Sequence, residues 1–317
     1  HIPARRFSGA MFVGHETVAF ALVALLAVRY GLGRERALAL GIAAGCFAAV
    51  PDVDMAYAPL GLLTVQSADA LVAADAFWGT STEVHRAVTH SLVVAPFAAA
   101  VFALAATRHR RGRVLAGLGA LALPLGALVV SGGLAGAVMA LYALAGIAIA
   151  LIARRRLELG PRALAATALV GLLTHPFGDL LTGTPPDFLY PLPWHLLAAR
   201  PTPFADPTLD LLAAFALELV CLWAGVYAYH RVSGTPLRTH LHGRAAAGAA
   251  YALAALVITP PTLDVSYHFV FSVVAVGAVG VVEPTNRRLP ALPSAAVTGL
   301  AAVTAAGIGY TPAYLLL

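Results

Sequence analysis

Four short polar strings rich in histidine and acidic residues interrupt an otherwise apolar chain. They are Gly14-His15-Glu16, Pro51-Asp52-Val53-Asp54, the segment HRAVTHS from His85 to Ser91, and the segment HPFGDLLT from His175 to Thr182. Imidazole nitrogens and carboxylate oxygens are ligands of zinc, manganese and iron. Together the strings predict a metal site.

The spacing within two of these strings limits how their side chains can bind a metal. His175 and Asp179 are four residues apart and share one face of a helix, which suits two ligands of one ion. Pro176 favours a break in the helix beside them. His85 and His90 are five residues apart, so a regular helix would point them about 140° apart. They bind different ions, or one is a ligand and the other an acid-base group.

Each string also has an interpretation without a metal. Glu16 would complement a helix dipole, Asp52 and Asp54 would form a turn, and Thr89 or Ser91 would cap a helix. Two carboxylates one residue apart at the end of a membrane span nevertheless concentrate negative charge that a cation would offset. The metal interpretation is therefore favoured.

The composition is that of a membrane protein. The chain has 317 residues, of which 60% are hydrophobic and 11% charged, whereas a soluble domain has about 25% charged residues. We expect an all-α polytopic transmembrane helical bundle, because its apolar stretches approach the length of a membrane span. Ten spans are predicted, at 15–31, 36–50, 91–107, 113–131, 133–153, 162–181, 207–230, 244–259, 267–283 and 291–310.

The arginines are distributed unequally between the two faces of this predicted bundle. All 20 residues counted as lysine or arginine are arginines, and only Arg5, Arg6, Arg86 and Arg200 fall on the face that carries the N-terminus. The positive-inside rule makes the other, arginine-rich face cytoplasmic. All four polar strings lie opposite it, so we expect a metal site at the extracytoplasmic boundary of a prokaryotic cell membrane.

The order of these motifs resembles one known family. A histidine near the N-terminus, followed by PDxD, HRxxTHS and HxxxDxxT, is similar to the YdjM family of inner-membrane proteins, described as metal-dependent hydrolases. The resemblance covers about residues 11–200, and HRxxTHS is its most specific element. It implies a hydrolase-like core at 1–200, with 201–317 as a C-terminal transmembrane extension packed on it. The site that it implies consists of His15, Asp52, Asp54, His85, His90, His175 and Asp179.

This set of ligands favours hydrolytic chemistry. Four histidines and three aspartates exceed the needs of one tetrahedral zinc and fit two cations that share a carboxylate, as in phosphoester hydrolysis. We expect one or two divalent ions, with zinc favoured over manganese or iron. Arg86 is the candidate for holding an anionic oxygen, although an arginine there is also typical of an interfacial anchor. His90 is the candidate acid-base group.

The expected partners are membrane lipids. Phe188, Tyr190, Trp194 and His195 would frame a site at the headgroup level, which favours a lipid-linked phosphoester or ester as substrate, although an aromatic belt has the same composition. The sequence contains no phosphate-cradling loop and no nucleic-acid-binding module, so nucleic acid is not an expected partner.

Two other function classes remain open. Glu218 is an isolated acid within a predicted span, which keeps a divalent-metal or proton-coupled transporter in consideration. A non-catalytic membrane subunit with a structural metal is the other alternative, because closed coordination is typical of structural sites.

Overall fold

Helices make up the regular structure of the chain in the part that the structure describes. A computed structural model describes residues 14–66, 69–81, 86–263, 265–282 and 290–317. Within these ranges the regular elements are α-helices and 3-10 helices, and the only β-type pairing is an isolated bridge between Thr262 and Val265. The predicted all-α class is confirmed.

The α-helices are separated by turns and by short 3-10 helices. The α-helices are α1 (Gly14–Arg29), α2 (Arg34–Ala48), α3 (Ala70–Ser81), α4 (Val94–Ala105), α5 (Arg110–Arg156), α6 (Pro161–Gly178), α7 (Pro207–Ser233), α8 (Tyr267–Ala275) and α9 (Leu292–Leu316). The 3-10 helices are Pro51–Met55, Ala58–Thr64, Asp179–Leu181, Leu237–Thr239, Gly243–Leu256 and Val276–Gly280.

Local sequence explains several helix ends. α6 and α7 both begin with proline, whose missing N–H is not needed in the first turn. The Asp206 side chain accepts a hydrogen bond from the Thr208 N–H and caps α7. Gly234 ends that helix with a φ of 75°, a left-handed conformation that glycine adopts without strain.

Five helical segments among the described residues are long and apolar enough to cross a membrane. They are Arg34–Thr64, Arg110–Arg156, Pro161–Leu181, Pro207–Ser233 and Leu292–Leu316. Each of the ten predicted spans overlaps a helical segment, but α1 and α4 have only 16 and 12 residues, fewer than the roughly 20 that cross a bilayer. The structure thus supports a membrane-spanning helical protein, and the number ten stays a prediction.

The longest helix, α5, folds back on itself at Gly132. This residue has a φ of 85°, outside the helical region. A Cβ added at Gly136 would lie 3.0 Å from the Leu128 Cβ and 3.2 Å from the Pro124 carbonyl oxygen, whereas residues twelve apart in a straight helix are separated by about 18 Å. α5 therefore has two arms, and the break falls between the predicted spans 113–131 and 133–153.

The described chain divides into two compact units. The N-terminal unit comprises Phe12–Leu180 and Thr184–Arg200, and the C-terminal unit contains Leu181–Gly183 and Pro201–Leu317. The N-terminal unit has a core that includes Phe47, Phe102 and Tyr142, and the C-terminal unit has its own core around Phe269 and Tyr310.

Small residues allow α1, α2 and α6 to approach closely within the N-terminal unit. A Cβ added at Gly171 of α6 would lie 2.5 Å from the Ala44 carbonyl oxygen of α2, and one at Gly45 would lie 3.0 Å from the Glu16 carbonyl oxygen of α1. Close backbone approach at small residues is typical of membrane helices. This packing brings together the ends of the three helices that carry or precede His15, Asp52 and His175.

Candidate metal site

The predicted ligands that the structure describes meet within the N-terminal unit. His15 is the second residue of α1, and Asp52 and Asp54 lie in the 3-10 helix that follows α2. His90 lies in the turn before α4. His175 lies in the last turn of α6, and Asp179 begins the next 3-10 helix, so the chain continues through Pro176 with a change of helix type. The remaining predicted ligand, His85, lies outside the described residues.

His175 stands at the centre of the cluster. Its Nε2 atom lies 2.9 Å from His90 Nε2, 3.6 Å from Asp52 Oδ1 and 3.7 Å from Asp179 Oδ2. His90 Nε2 is 3.0 Å from Asp179 Oδ2, and His15 Nε2 is 3.2 Å from Asp52 Oδ2. Two ligands of one tetrahedral zinc are about 3.4 Å apart, so these side chains are close enough together that they could hold one ion.

Two overlapping groups of three ligands occur in the described chain. One contains His15, Asp52 and His175, the other contains His90, His175 and Asp179, and in each the ligand atoms lie within 4.8 Å of one another. An imidazole nitrogen has one lone pair, so His175 Nε2 can bind only one ion. The groups therefore fit one ion with alternative partners, or two ions of which only one binds His175 through this atom.

Most of the cluster is shielded from solvent, although the Asp52 side chain is 24% exposed. His90, His175 and Asp54 are 0% exposed, and His15 and Asp179 are 5% and 4% exposed. Burying an unpaired charge costs several kcal/mol, so buried carboxylates and imidazoles in proteins are paired or bind metal. The density of ionisable groups here is that of a functional or metal-binding centre.

Hydrogen bonds among the described residues leave two ring nitrogens of the cluster without a partner. His15 Nδ1 and His175 Nδ1 are buried with no hydrogen-bond partner among the described residues. At 2.9 Å, His90 Nε2 and His175 Nε2 cannot both present lone pairs to each other unless a proton or a cation lies between them. The donor set therefore fits a divalent cation.

Neighbouring carboxylates affect the protonation of His90. Burial disfavours its charged form, but the carboxylates of Asp54 and Asp179 outweigh burial and raise the pKa of His90 to about 9. The negative charge of Asp54 and Asp179 can thus be balanced either by a protonated His90 or by a bound cation. Asp54 Oδ2 faces the other ring nitrogen, 3.4 Å from Nδ1, so Asp54 lies behind His90 relative to His175.

Arg86 is turned inward and binds the protein itself. It is 5% exposed, and its φ of 64° lies in the left-handed region. Its guanidinium donates to Asp179 Oδ1 at 3.1 Å and to the carbonyl oxygens of Asp179 and Thr184 at 3.3 Å. Its backbone N–H donates to Asp54 Oδ2. The guanidinium therefore holds Asp179 in place, and contact with an anionic substrate stays a prediction.

Thr89 and Glu16 have contacts that the sequence analysis did not anticipate. Thr89 was considered as a helix cap, but Ser91 Oγ accepts from the N–H groups of Val93 and Val94 and caps α4, while Thr89 contacts His90. Glu16 Oε2 is buried without a hydrogen bond from a described residue and lies 3.7 Å from His15 Nε2. Thr89 and Glu16 each lie next to a candidate ligand in the sequence, and this position could have indicated their contacts.

The loop after α6 that carries Phe188, Tyr190 and Trp194 makes backbone contacts with the segment around His90. The Phe188 carbonyl accepts from the Leu92 N–H, and the Tyr190 carbonyl accepts from Ser91 Oγ. Trp194 is 65% exposed. His195 pairs with Asp187 at 3.0 Å and is not a member of either described ligand group. Glu218 lies on α7, in the C-terminal unit.

Comparison with known proteins identifies one family. The model of the YdjM inner membrane protein family matches residues 11–260 of the chain. The match extends beyond residue 200, where the motif resemblance ended, and enters the C-terminal unit. No curated protein and no solved structure matched the chain.

Proposed function

The chain belongs to the YdjM inner membrane protein family, and we propose that it is a membrane-embedded metal-dependent hydrolase. The observation that carries this proposal is the buried meeting of His90, His175 and Asp179 beside His15 and Asp52. These side chains present several lone pairs and few protons to one point, which is the property of a cation site.

We propose that these five side chains hold one or two divalent ions, with Asp54 and His85 as the remaining proposed ligands. Histidine with aspartate favours zinc, and manganese or iron have the same ligand preferences. When bound, a divalent cation supplies Lewis acidity and lowers the pKa of a water molecule. Arg86 keeps Asp179 oriented, and burial of the cluster keeps bulk water away from the charged groups.

Two residues have proposed roles in the reaction itself. Arg86 supplies positive charge beside Asp179, and it would hold an anionic oxygen by exchanging one of its backbone carbonyl partners for the substrate. His90, whose Nε2 lies 2.9 Å from His175 and 3.0 Å from Asp179, would transfer a proton if His15, Asp52 and His175 hold the ion. A phosphoester centre suits both roles, because negative charge develops on its oxygens.

The proposed substrate is a lipid-linked phosphoester or another ester at the outer face of the membrane. The unequal distribution of arginines supports this placement, since it puts the arginine-rich loops in the cytoplasm. A site at that level meets headgroups directly, so membrane lipids are the proposed partners.

The decisive experiment counts metal ions per chain. Elemental analysis of the purified wild type is compared with an Asp54→Ala, His90→Ala double variant and with His230→Ala, a buried histidine of the C-terminal unit. We expect one or two equivalents of zinc, manganese or iron in the wild type and in His230→Ala, and loss in the double variant. Absence of metal from the wild type after reconstitution with divalent ions would overturn the proposal.

A structural metal is the second candidate function. The complete burial of His90 and His175 favours it, because a catalytic site needs an open position for water or substrate. Wild-type protein that binds metal is therefore assayed on phospholipids and polyprenyl phosphates, with the double variant as control. Metal-dependent hydrolysis supports the enzyme, and stabilisation by metal without hydrolysis of any of these lipids supports the structural role.

A further inference from the structure

The Thr89 hydroxyl has one proton, and its neighbours determine where that proton lies. Thr89 Oγ1 is 2.8 Å from Asp54 Oδ2. An ionised carboxylate only accepts hydrogen bonds and is a stronger acceptor than a neutral group. Thr89 therefore donates its proton to Asp54, whose same oxygen also accepts from the Arg86 backbone N–H at 3.2 Å.

This arrangement determines which nitrogen of His90 carries a proton. Thr89 Oγ1 lies 2.9 Å from His90 Nδ1, and with its own proton committed it can only accept there. Asp54 Oδ2, at 3.4 Å from Nδ1, also only accepts. A lone pair on Nδ1 would face two oxygen acceptors, so Nδ1 is the protonated nitrogen.

The other ring nitrogen, Nε2, is then the one whose lone pair can bind a cation. His90 Nε2 faces His175 Nε2 at 2.9 Å and Asp179 Oδ2 at 3.0 Å. We propose that Thr89 is a positioning residue that holds His90 in the Nδ1–H tautomer and thereby directs the Nε2 lone pair to the cation. This inference rests on the proposed metal site, and it assigns Thr89 a role other than helix capping.

The buried position of Thr89 makes its hydroxyl difficult to replace. The residue is 3% exposed, and His90 and Asp54 are both 0% exposed. A side chain without the hydroxyl would leave Nδ1–H and one carboxylate lone pair without this partner in a region shielded from water, which is unfavourable. The partner of a metal-binding histidine typically changes metal affinity by about 10- to 100-fold.

The test compares the full-length wild type with Thr89→Val, which keeps the shape but removes the hydroxyl, and Thr89→Ser, which keeps the hydroxyl. Thr167→Val is the matched control, because Thr167 is equally buried and its hydroxyl donates to backbone carbonyls of its own helix. Zinc affinity is measured by competition with a chelator, and the visible spectrum of the cobalt-loaded protein reports coordination. We expect zinc affinity to fall about 10- to 100-fold in Thr89→Val and to stay close to wild type in Thr89→Ser and Thr167→Val.

Several results would overturn the inference. One is a Thr89→Val variant with wild-type zinc affinity and an unchanged cobalt spectrum. Another is a loss of zinc affinity in Thr89→Ser equal to that in Thr89→Val, which would assign the effect to packing. If the wild type binds no metal, the proposed function fails as well; if it binds metal and Thr89→Val binds equally, only the role of Thr89 fails. Nitrogen-15 shifts of the zinc-loaded wild type need no variant, and a proton on His90 Nε2 would contradict the assignment.

Discussion

In the N-terminal unit, the Nε2 atoms of three clustered histidines face carboxylates and one another, whereas in the C-terminal unit the Nδ1 atoms of His230 and His240 face hydroxyl groups. His230 Nδ1 lies 2.8 Å from Thr235 Oγ1, and His240 Nδ1 lies 3.1 Å from Ser294 Oγ. Such contacts need no ion, because a hydroxyl can donate or accept as the imidazole requires. His90 and His175, by contrast, share their nitrogens with each other and with Asp179.

Other polar side chains of the C-terminal unit also have hydrogen-bond partners that satisfy them. Trp223 Nε1 donates to Thr304 Oγ1 at 2.9 Å, and the Tyr314 hydroxyl donates to Asp206 at 2.8 Å. Burial of a histidine therefore does not by itself indicate a metal site. The useful criterion is whether neighbouring donors and acceptors can satisfy one another without an added ion.

The largest expected effect comes from removing the central ligand. His175→Gln should abolish stoichiometric metal binding, because His175 belongs to both ligand groups, and the loss should exceed the roughly 100-fold upper range for residues that only orient ligands. His230→Gln in the C-terminal unit should retain full metal content. Equal metal content in the two variants, measured by elemental analysis, would remove the distinction between the units.

Loss of the Arg86 charge should be the next largest effect. Arg86→Met leaves the buried Asp179 carboxylate without its arginine partner, which should destabilise the metal-free protein by about 3–5 kcal/mol. Added zinc should restore part of this stability, since a ligand that binds only the folded state stabilises it. The exposed Arg238→Met control should change stability by less than about 0.5 kcal/mol. Unfolding in detergent measures both, and an unaltered Arg86→Met midpoint would contradict the ion pair.

A smaller effect is expected from crowding His15. A Cβ at Gly178 would lie 2.8 Å from His15 Nδ1 and 3.0 Å from its Cβ, so Gly178→Ala should displace the ring and cost about 1–3 kcal/mol, with weaker metal binding. Gly126→Ala is the matched control, because no described atom lies within 4 Å of its added Cβ. Calorimetric titration with zinc distinguishes the variants, and identical affinities would show that His15 is not a ligand.

The smallest effect concerns a pair in the C-terminal unit. The hydrogen bond from the Tyr314 hydroxyl lowers the pKa of Asp206. The interaction therefore stabilises the fold above the ordinary carboxyl pKa and is lost as the pH falls through the lowered pKa. Tyr314→Phe should be slightly less stable than wild type near neutral pH, with the difference disappearing in acid, while metal content stays unchanged. The exposed Tyr227→Phe control should show no such pH dependence in thermal unfolding.

The sequence predicted much of the local architecture. Hydropathy located the helical segments and placed a boundary between two spans at residue 132, where the structure shows the reversal of α5 at a glycine with positive φ. It overestimated the length of α4 and did not distinguish the 3-10 segment Gly243–Leu256 from an α-helix, since both conformations accommodate the same small apolar residues.

Within the candidate site, residue types were predictable and their atomic roles were not. HRAVTHS indicated a functional segment. Nothing in the motif shows that Thr89 is the partner of His90 and that Ser91 is the helix cap. Likewise, an arginine near the membrane surface is typical of headgroup contact, and only the inward turn at Arg86 shows its bonds to Asp179.

The sequence by itself determined the membrane class, the family and the residues able to bind a cation, because composition, hydropathy and motif order are local properties of the chain. Tertiary structure decided which atoms meet. His15 and Asp52 are 37 residues apart in sequence, His90 and His175 are 85 apart, and Arg86 and Asp179 are 93 apart. Distances of 3 Å across such separations depend on how closely α1, α2 and α6 pack at their small residues, a property of the assembled helices.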